Sequence, residues 1–177
     1  MKEQSSKRSA RVCDRLRVSA YVDGSNIFHS GDKIRMRVDY AKLIPFIVSS
    51  RTLIDLNFYD TTENKPAEVK FFAHIQSLGY TLKIVKLHRY DHQTPEEKRI
   101  DTQIVADSLV DGLVNNKFDV ALFATGDKDI LPAMEYLLAA KKEVEVMSFD
   151  HSLAWDIKNS GARIISLTNL ANQIRRI

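Results

Sequence analysis

The chain has 177 residues, a length that suits one domain with a core of its own and no need of disulfide staples. Hydrophobic residues at 44% and charged residues at 28% are ordinary for a soluble globular protein, and no apolar run approaches the ~20 residues that span a bilayer. The charged N-terminus lacks the apolar segment of a secretory signal, and the single cysteine, Cys13, excludes an internal disulfide, so a cytoplasmic location is expected.

The net charge of +3 is unevenly placed. Residues 1–17 carry six Lys or Arg against two acids, and the rest of the chain is close to neutral. Such a basic arm has the composition of a solvated, disordered tail and is equally suited to phosphate contact. Residues 18–177 are expected to form one domain.

Arg17 to Asp23 reads as a first strand, closed by Asp23-Gly24-Ser25-Asn26. A short helix begins at Ile27-Phe28, and Asp39 caps a second helix carrying Leu43, Ile44, Phe46 and Ile47. Leu53 to Tyr59 form a second strand, with Asn57 and Asp60 near its end. Pro66 opens a helix with Val69, Phe72, Ile75 and Leu78 at its apolar positions, and Gly79 stops it. Leu82 to Leu87 make a third strand, and a polar loop from His88 to Lys98 follows.

The helix expected over Asp101 to Val114 is more informative. Ile104, Val105, Ser108 and Gly112 lie 3, 4, 7 and 11 positions after Asp101 and share one helical face, which should pack on a sheet. Asp101 is thus expected to open that helix as an acid aimed at the sheet's edge, with Asp107 lateral. Val120 to Ala124 is a run of five apolar residues, the mark of a fully buried parallel strand. It empties into Thr125-Gly126-Asp127-Lys128-Asp129, where Gly126 permits a sharp turn. A helix with Ile130, Met134, Leu137 and Leu138 comes next, then a fifth strand over Val144 to Phe149. Leu153 to Ser160 read as helical, Gly161 to Leu167 as a short last strand, and a small amphipathic helix ends the chain. This alternation predicts an α/β fold, a parallel sheet covered on both faces with right-handed crossovers.

Asp23, Asp101, Asp127 and Asp129 are then offered to one sheet edge, the edge where open α/β sheets bind ligands. The plain alternative is that each acid is a helix cap. Converging carboxylates repel one another and persist only with protons or a cation, and oxygen ligands suit Mg²⁺ or Mn²⁺. A metal so held activates water against a phosphodiester. Ser25, Asn26 and Thr125 could orient ligands or waters, or serve as turn and cap residues. Lys98, Arg99 and Lys128 lie beside the acids, placed either to hold phosphates or to balance charge. Lys86, His88 and Arg89 could extend that track. Trp155, Phe149 and Tyr136 could stack on bases, although aromatics near strand ends more often belong to the core.

The motifs Y-V-D-G-S-N-I at 21–27, K-R-I-D-T-Q-I-V-A-D at 98–107 and F-A-T-G-D-K-D-I at 123–130, in that order, resemble the NYN family of PIN-like nucleases, which includes the LabA-like proteins. K-E-V-E-V at 142–146 and S-L-A-W-D-I-K-N-S-G-A-R-I-I-S-L at 152–167 extend the resemblance over about residues 18–168. It implies a three-layer, Rossmann-like sandwich with core strand order 3-2-1-4-5. It also implies a metal-dependent ribonuclease using Mg²⁺ or Mn²⁺, with Asp23, Asp101, Asp127 and Asp129 as catalytic, metal-holding acids and single-stranded RNA as partner. Arg99 departs from the Gly, and Thr125 from the Ser, often found in the family. A non-cleaving RNA-binding or regulatory adaptor is the alternative of a different class, and a homo-oligomer is left open. No dinucleotide or P-loop fingerprint occurs, and Ser25 and Ile27 stand where haloacid-dehalogenase-like and von Willebrand-type sites need Asp and Ser.

Overall fold

In the computed structural model of the chain, residues 15–87 and 96–176 are described. Residues 1–14, which make up most of the basic arm, lie outside them, as do His88, Arg89 and the rest of the polar loop to residue 95. Arg17, counted with the arm on charge, is the first residue of β1 (Arg17–Asp23), and its guanidinium holds Asp119 at 2.8 Å.

Six strands form one sheet in the order β3-β2-β1-β4-β5-β6, with every pair parallel. They are β1, β2 (Thr52–Thr62), β3 (Thr81–Lys86), β4 (Val120–Ala124), β5 (Glu143–Ser148) and β6 (Arg163–Ser166). The expected core order 3-2-1-4-5 is present, and β6 adds an edge beside β5. Period-two alternation splits the apolar side chains between two layers. Val18, Ala20, Val22, Phe58 and Leu122 pack on one face against α1 (Gly24–Lys33), α2 (Tyr40–Val48) and α3 (Pro66–Ser77). Tyr21, Tyr59, Ala121, Phe123 and Val146 pack on the other against α4 (Glu96–Leu109) and α5 (Leu131–Ala139). Leu43, Ile47, Ile104 and Leu137 are fully buried, and burial of each contributes about 1.5–3 kcal/mol. Two four-residue helices, α6 (Trp155–Lys158) and α7 (Ala171–Ile174), complete the three-layer sandwich.

Three differences from the sequence reading have local causes. Helix α4 starts at Glu96 and not at Asp101, because Glu96-Glu97-Lys98-Arg99 are strong helix formers with acids in the first turn. Asp101 therefore sits in the second turn. Its buried face is as expected, with Ile104, Ser108 and Gly112 inaccessible, and the helix ends in a π turn, Val110–Val114. On α3, Val69 is exposed and Phe71 packs on the core in its stead. Strand β2 runs on to Thr62, so Asp60 lies within it.

Candidate active site at the carboxyl edge of the sheet

β1 and β4 are neighbours whose following connections lead to opposite sides of the sheet, β1 toward β2 and β4 toward β5. Their carboxyl ends thus mark the topological switch point of an open α/β sheet, and Asp23 lies at the end of β1 there. It is only 4% exposed and caps α1. Its Oδ1 accepts from Asn26 N at 2.9 Å and Ser25 Oγ at 3.1 Å, and its Oδ2 accepts from Thr125 Oγ1 at 3.2 Å. Burial pushes the Asp23 carboxyl above the ordinary aspartate range; these three hydrogen bonds oppose that shift and the Asp127 charge adds to it.

The loop after β4 is tied to this acid. Thr125 is fully buried, and its hydroxyl also accepts from Asp127 N at 3.3 Å. Asn26 reaches across from α1, its Oδ1 accepting from Gly126 N at 3.0 Å. Asp127 caps the 3₁₀ turn Lys128–Ile130 through Asp129 N, 3.1 Å from its Oδ1, and its Oδ2 has no partner among the described residues. Capping uses one oxygen of Asp127 and leaves its Oδ2 for a ligand, whereas both oxygens of Asp23 already accept hydrogen bonds, Oδ1 two and Oδ2 the one from Thr125.

Two glycines permit the close approach. A Cβ on Gly126 would fall 2.3 Å from Ser152 O, and one on Gly24 would fall 2.7 Å from Asp60 Oδ2. Gly126 thus serves contact with the 148–152 segment, since its φ lies outside the left-handed region.

The other expected residues sit a step away. Asp101, Asp129 and Lys128 share a cleft of about 540 Å³ with Thr102 and Pro132. Asp129, Lys128 and Arg99 are exposed, and the Lys98 side chain lies outside the described residues. The four acids thus fall into two groups, Asp23 with Asp127 and Asp101 with Asp129, joined through the 125–129 turn. Among the described residues no three His, Cys, Asp or Glu stand close enough to hold one ion directly. The donor set still fits a hydrated cation. Mg²⁺ keeps several waters and takes one or two carboxylates directly, every donor here is an oxygen, and Asp23, Asp127 and Asp129 have no ion-pair partner among the described residues.

The profile of the NYN domain matches residues 17–168. The chain belongs to the NYN domain family. NYN domains are in general PIN-like and nuclease-like, and they bind RNA. The Low amplitude and bright protein LabA of Synechococcus elongatus is 25% identical over 167 residues, covering 90% of this NYN chain and 88% of that protein. A crystal structure of a protein of unknown function from Vibrio parahaemolyticus superposes with a TM-score of 0.80, covering 94% of this chain and 100% of that one. Its 15% identity makes it evidence of fold alone.

Two features of this edge differ from the sequence reading, which gave Asp60 no role and weighed Trp155 as a base-stacking or core residue. Asp60, inside β2 beside β1, has burial and the nearby Asp23 and Glu68 charges pushing its carboxyl up to about 6, against a hydrogen bond from Thr61 N. An acid near the end of the strand neighbouring β1 was the available signal. Trp155 follows Ala154, whose N–H donates to Gly126 O, and it is 75% exposed. Tyr136 is exposed as well, and of the three aromatics weighed only Phe149 is in the core. No helix among the described residues is long and apolar enough to cross a membrane.

Proposed function

We propose that this NYN domain hydrolyses phosphodiester bonds of single-stranded RNA at the carboxyl edge of its sheet. Asp23 and Asp127 are the inner acids, and Asp101 and Asp129 the outer ones. The observation that carries the reading is Asp23: a carboxylate 4% exposed at the switch point, beside a second carboxylate and with no cation paired to it among the described residues. Burial of such a charge is costly unless a positive ligand compensates it.

Asp23 and Asp127 would hold Mg²⁺ or Mn²⁺, and Asp127 Oδ2 is the oxygen with no partner among the described residues. When bound, such an ion lowers the pKa of water and offsets charge on the phosphoryl oxygens. Ser25 and Thr125 fix the Asp23 carboxylate, and Asn26 fixes the 125–129 turn, so the acids need no rearrangement to receive a ligand. Asp101 and Asp129 face the larger cleft, where they can accept hydrogen bonds from an attacking water. Lys128 in that cleft is suited to flanking phosphates, the role that the sequence also offers to Arg99 and Lys98.

Cleavage of a labelled single-stranded RNA in Mn²⁺, Mg²⁺ or EDTA, beside Asp127→Asn, tests the reading. Asn retains the cap, so folding should persist while cutting disappears. Undiminished metal-dependent cutting by the variant would remove these acids from the mechanism. A second reading, a non-cleaving RNA-binding or regulatory adaptor, is favoured by the three hydrogen bonds that already satisfy Asp23 as a cap. Metal-independent RNA binding without cutting would establish it.

A further inference from the structure

A second cleft, of about 440 Å³, opens beside Asp23 on the α1–α3 side of the sheet, and the cleavage chemistry makes no use of it. Its floor is Gly24 and Ser25 at the start of α1, which ties it to the acid centre. Its walls are aromatic, with Phe28 from α1 and Phe71 and Phe72 from α3. Phe71 is held edge-on by Tyr40 and Phe58, with ring centroids 6.0 Å apart in each case. Phe28 is 46% exposed, and the Arg37 guanidinium lies 4.2 Å over its ring. Arg37 lines the smaller cleft on the far side of Phe28. A large exposed aromatic supported in this way, opposite two others, offers a stacking wall and not merely a greasy surface.

The cleft holds two carboxylates, Asp60 and Glu68, beside Ser25, His29 and Thr61. Asp60 Oδ1 accepts from Thr61 N, and Oδ2 has no hydrogen-bond donor and no ion-pair partner among the described residues. The other acid there, Glu68, is held in place by three hydrogen bonds to its Oε2, from Thr62 Oγ1 and the N–H groups of Glu63 and Lys65. Among the described residues, two acids and one histidine, His29, line the cleft and no lysine or arginine does, so the cleft favours hydrogen-bond donors over a phosphate. A flat ring bearing N–H donors is what it would take. Among the four RNA bases, guanine alone presents two adjacent donors, N1–H and the N2 amine, spaced to match the two oxygens of one carboxylate.

We infer that the cleft between Phe28, Phe71 and Phe72 is a base subsite that stacks a guanine of the RNA and reads its N1 and N2 donors through Asp60. This rests on the reading of the adjacent acids as an RNA site, and it adds a sequence preference to it. The guanine lies next to the bond presented to Asp23, because the floor of the subsite is the residue pair that follows Asp23.

The experiment measures anisotropy of labelled U-rich single-stranded RNA carrying one G, A, C or inosine, with the full chain in EDTA. Binding in EDTA separates this inference from cleavage. The G-containing RNA should bind about 10-fold tighter than all-U RNA, and inosine, which lacks only the N2 amine, should lose about 5-fold of that. Asp60→Asn should erase the difference between guanine and inosine. Phe28→Ala, a change at an exposed position that spares the core, should weaken the G-containing RNA about 10-fold. Equal binding of all four RNAs, or a guanine–inosine difference unchanged in Asp60→Asn, overturns the subsite even where metal-dependent cutting is intact. Guanine preference without cutting overturns the nuclease and keeps the subsite.

Discussion

The two ends of the sheet carry acids under opposite conditions. At the amino end, the acids are neutralised in place. Arg17 holds Asp119 at 2.8 Å, Lys117 holds Asp111 at 2.8 Å, Lys83 lies 3.6 Å from Asp107, and Arg51 and Arg163 lie 2.8 and 2.9 Å from Glu145. Tyr21 and Tyr59 add hydroxyl donors to Asp111 and Asp107. At the carboxyl end, Asp23, Asp60, Asp127 and Asp129 have no such cation among the described residues. Burial alone does not make the difference, since Glu145 is 2% exposed and Asp23 4%. Among the described residues, the first group of acids is ion-paired within the chain and Asp23, Asp60, Asp127 and Asp129 are not. Under the proposed function, a ligand would bring to the second group the positive charge that the first receives from the chain.

The largest test of that contrast is Asp23→Asn. Cleavage should fall by about 10³-fold, equivalent to ~4 kcal/mol of transition-state stabilisation. The thermal midpoint should hold or rise, because Asn keeps the cap while removing a buried charge. Unchanged cleavage, or a fall in melting temperature matching the loss, would make Asp23 a structural acid like those at the other end. Arg51→Met is the mirror experiment. It leaves Glu145 with Arg163, whose side chain is 74% exposed, and should cost about 2–3 kcal/mol in urea denaturation with cleavage per folded molecule unaltered. Stability within 0.5 kcal/mol (roughly the range of an ordinary surface substitution) would show that Arg51 does not neutralise Glu145.

How much of this was legible beforehand follows from which forces are local. Periodicity marked β1, β4 and the buried face of α4 because apolar spacing answers directly to packing on one sheet. Asp23 and Asp127 were visible because each ends such a strand. The start of α4 was missed because propensity carries the helix back past Asp101, which a stripe beginning at Asp101 cannot reveal. The grouping of the acids in pairs, and Asp60 as a member of the edge, depend on which strands lie side by side. Neutralisation of Asp107, Asp111 and Glu145 likewise comes from Lys83, Lys117, Arg51 and Arg163, far from them or on other elements. Trp155 was weighed between base stacking and the core, and its exposure depends on how the four residues of α6 sit beside Gly126.

That exposure supplies a smaller test at the carboxyl end. Trp155 is the chain's sole tryptophan, so its fluorescence reports directly on stacking. Single-stranded RNA should quench it, and Trp155→Ala should weaken RNA binding by about 1–2 kcal/mol. Fluorescence indifferent to saturating RNA would place the strand elsewhere on the edge.

The smallest effect separates the two ends by the sign of their pH response. Asp60 has its carboxyl raised to about 6 by burial, against 3.8 for an unperturbed aspartate. Between those values the folded state keeps a proton that the unfolded chain has released, so the stability this group contributes is complete below about pH 4 and lost as pH rises through 6. Asp60→Asn should therefore be more stable than the parent by about 1 kcal/mol at pH 7.5, less than the full shift implies because the carboxylate is partly solvated, and indistinguishable from it near pH 4. Asp119 runs the other way. The Arg17 side-chain hydrogen bond holds it below the ordinary range, so its contribution is present above the unfolded pKa and disappears as pH falls through the folded one. Asp119→Asn should be less stable than the parent at pH 7.5, and the deficit should close on acidification. Urea midpoints for both variants at pH 4, 6 and 7.5 give two slopes, and they must be opposite in sign. Parallel slopes would mean that the Asp60 carboxylate is not unpaired but neutralised within the chain.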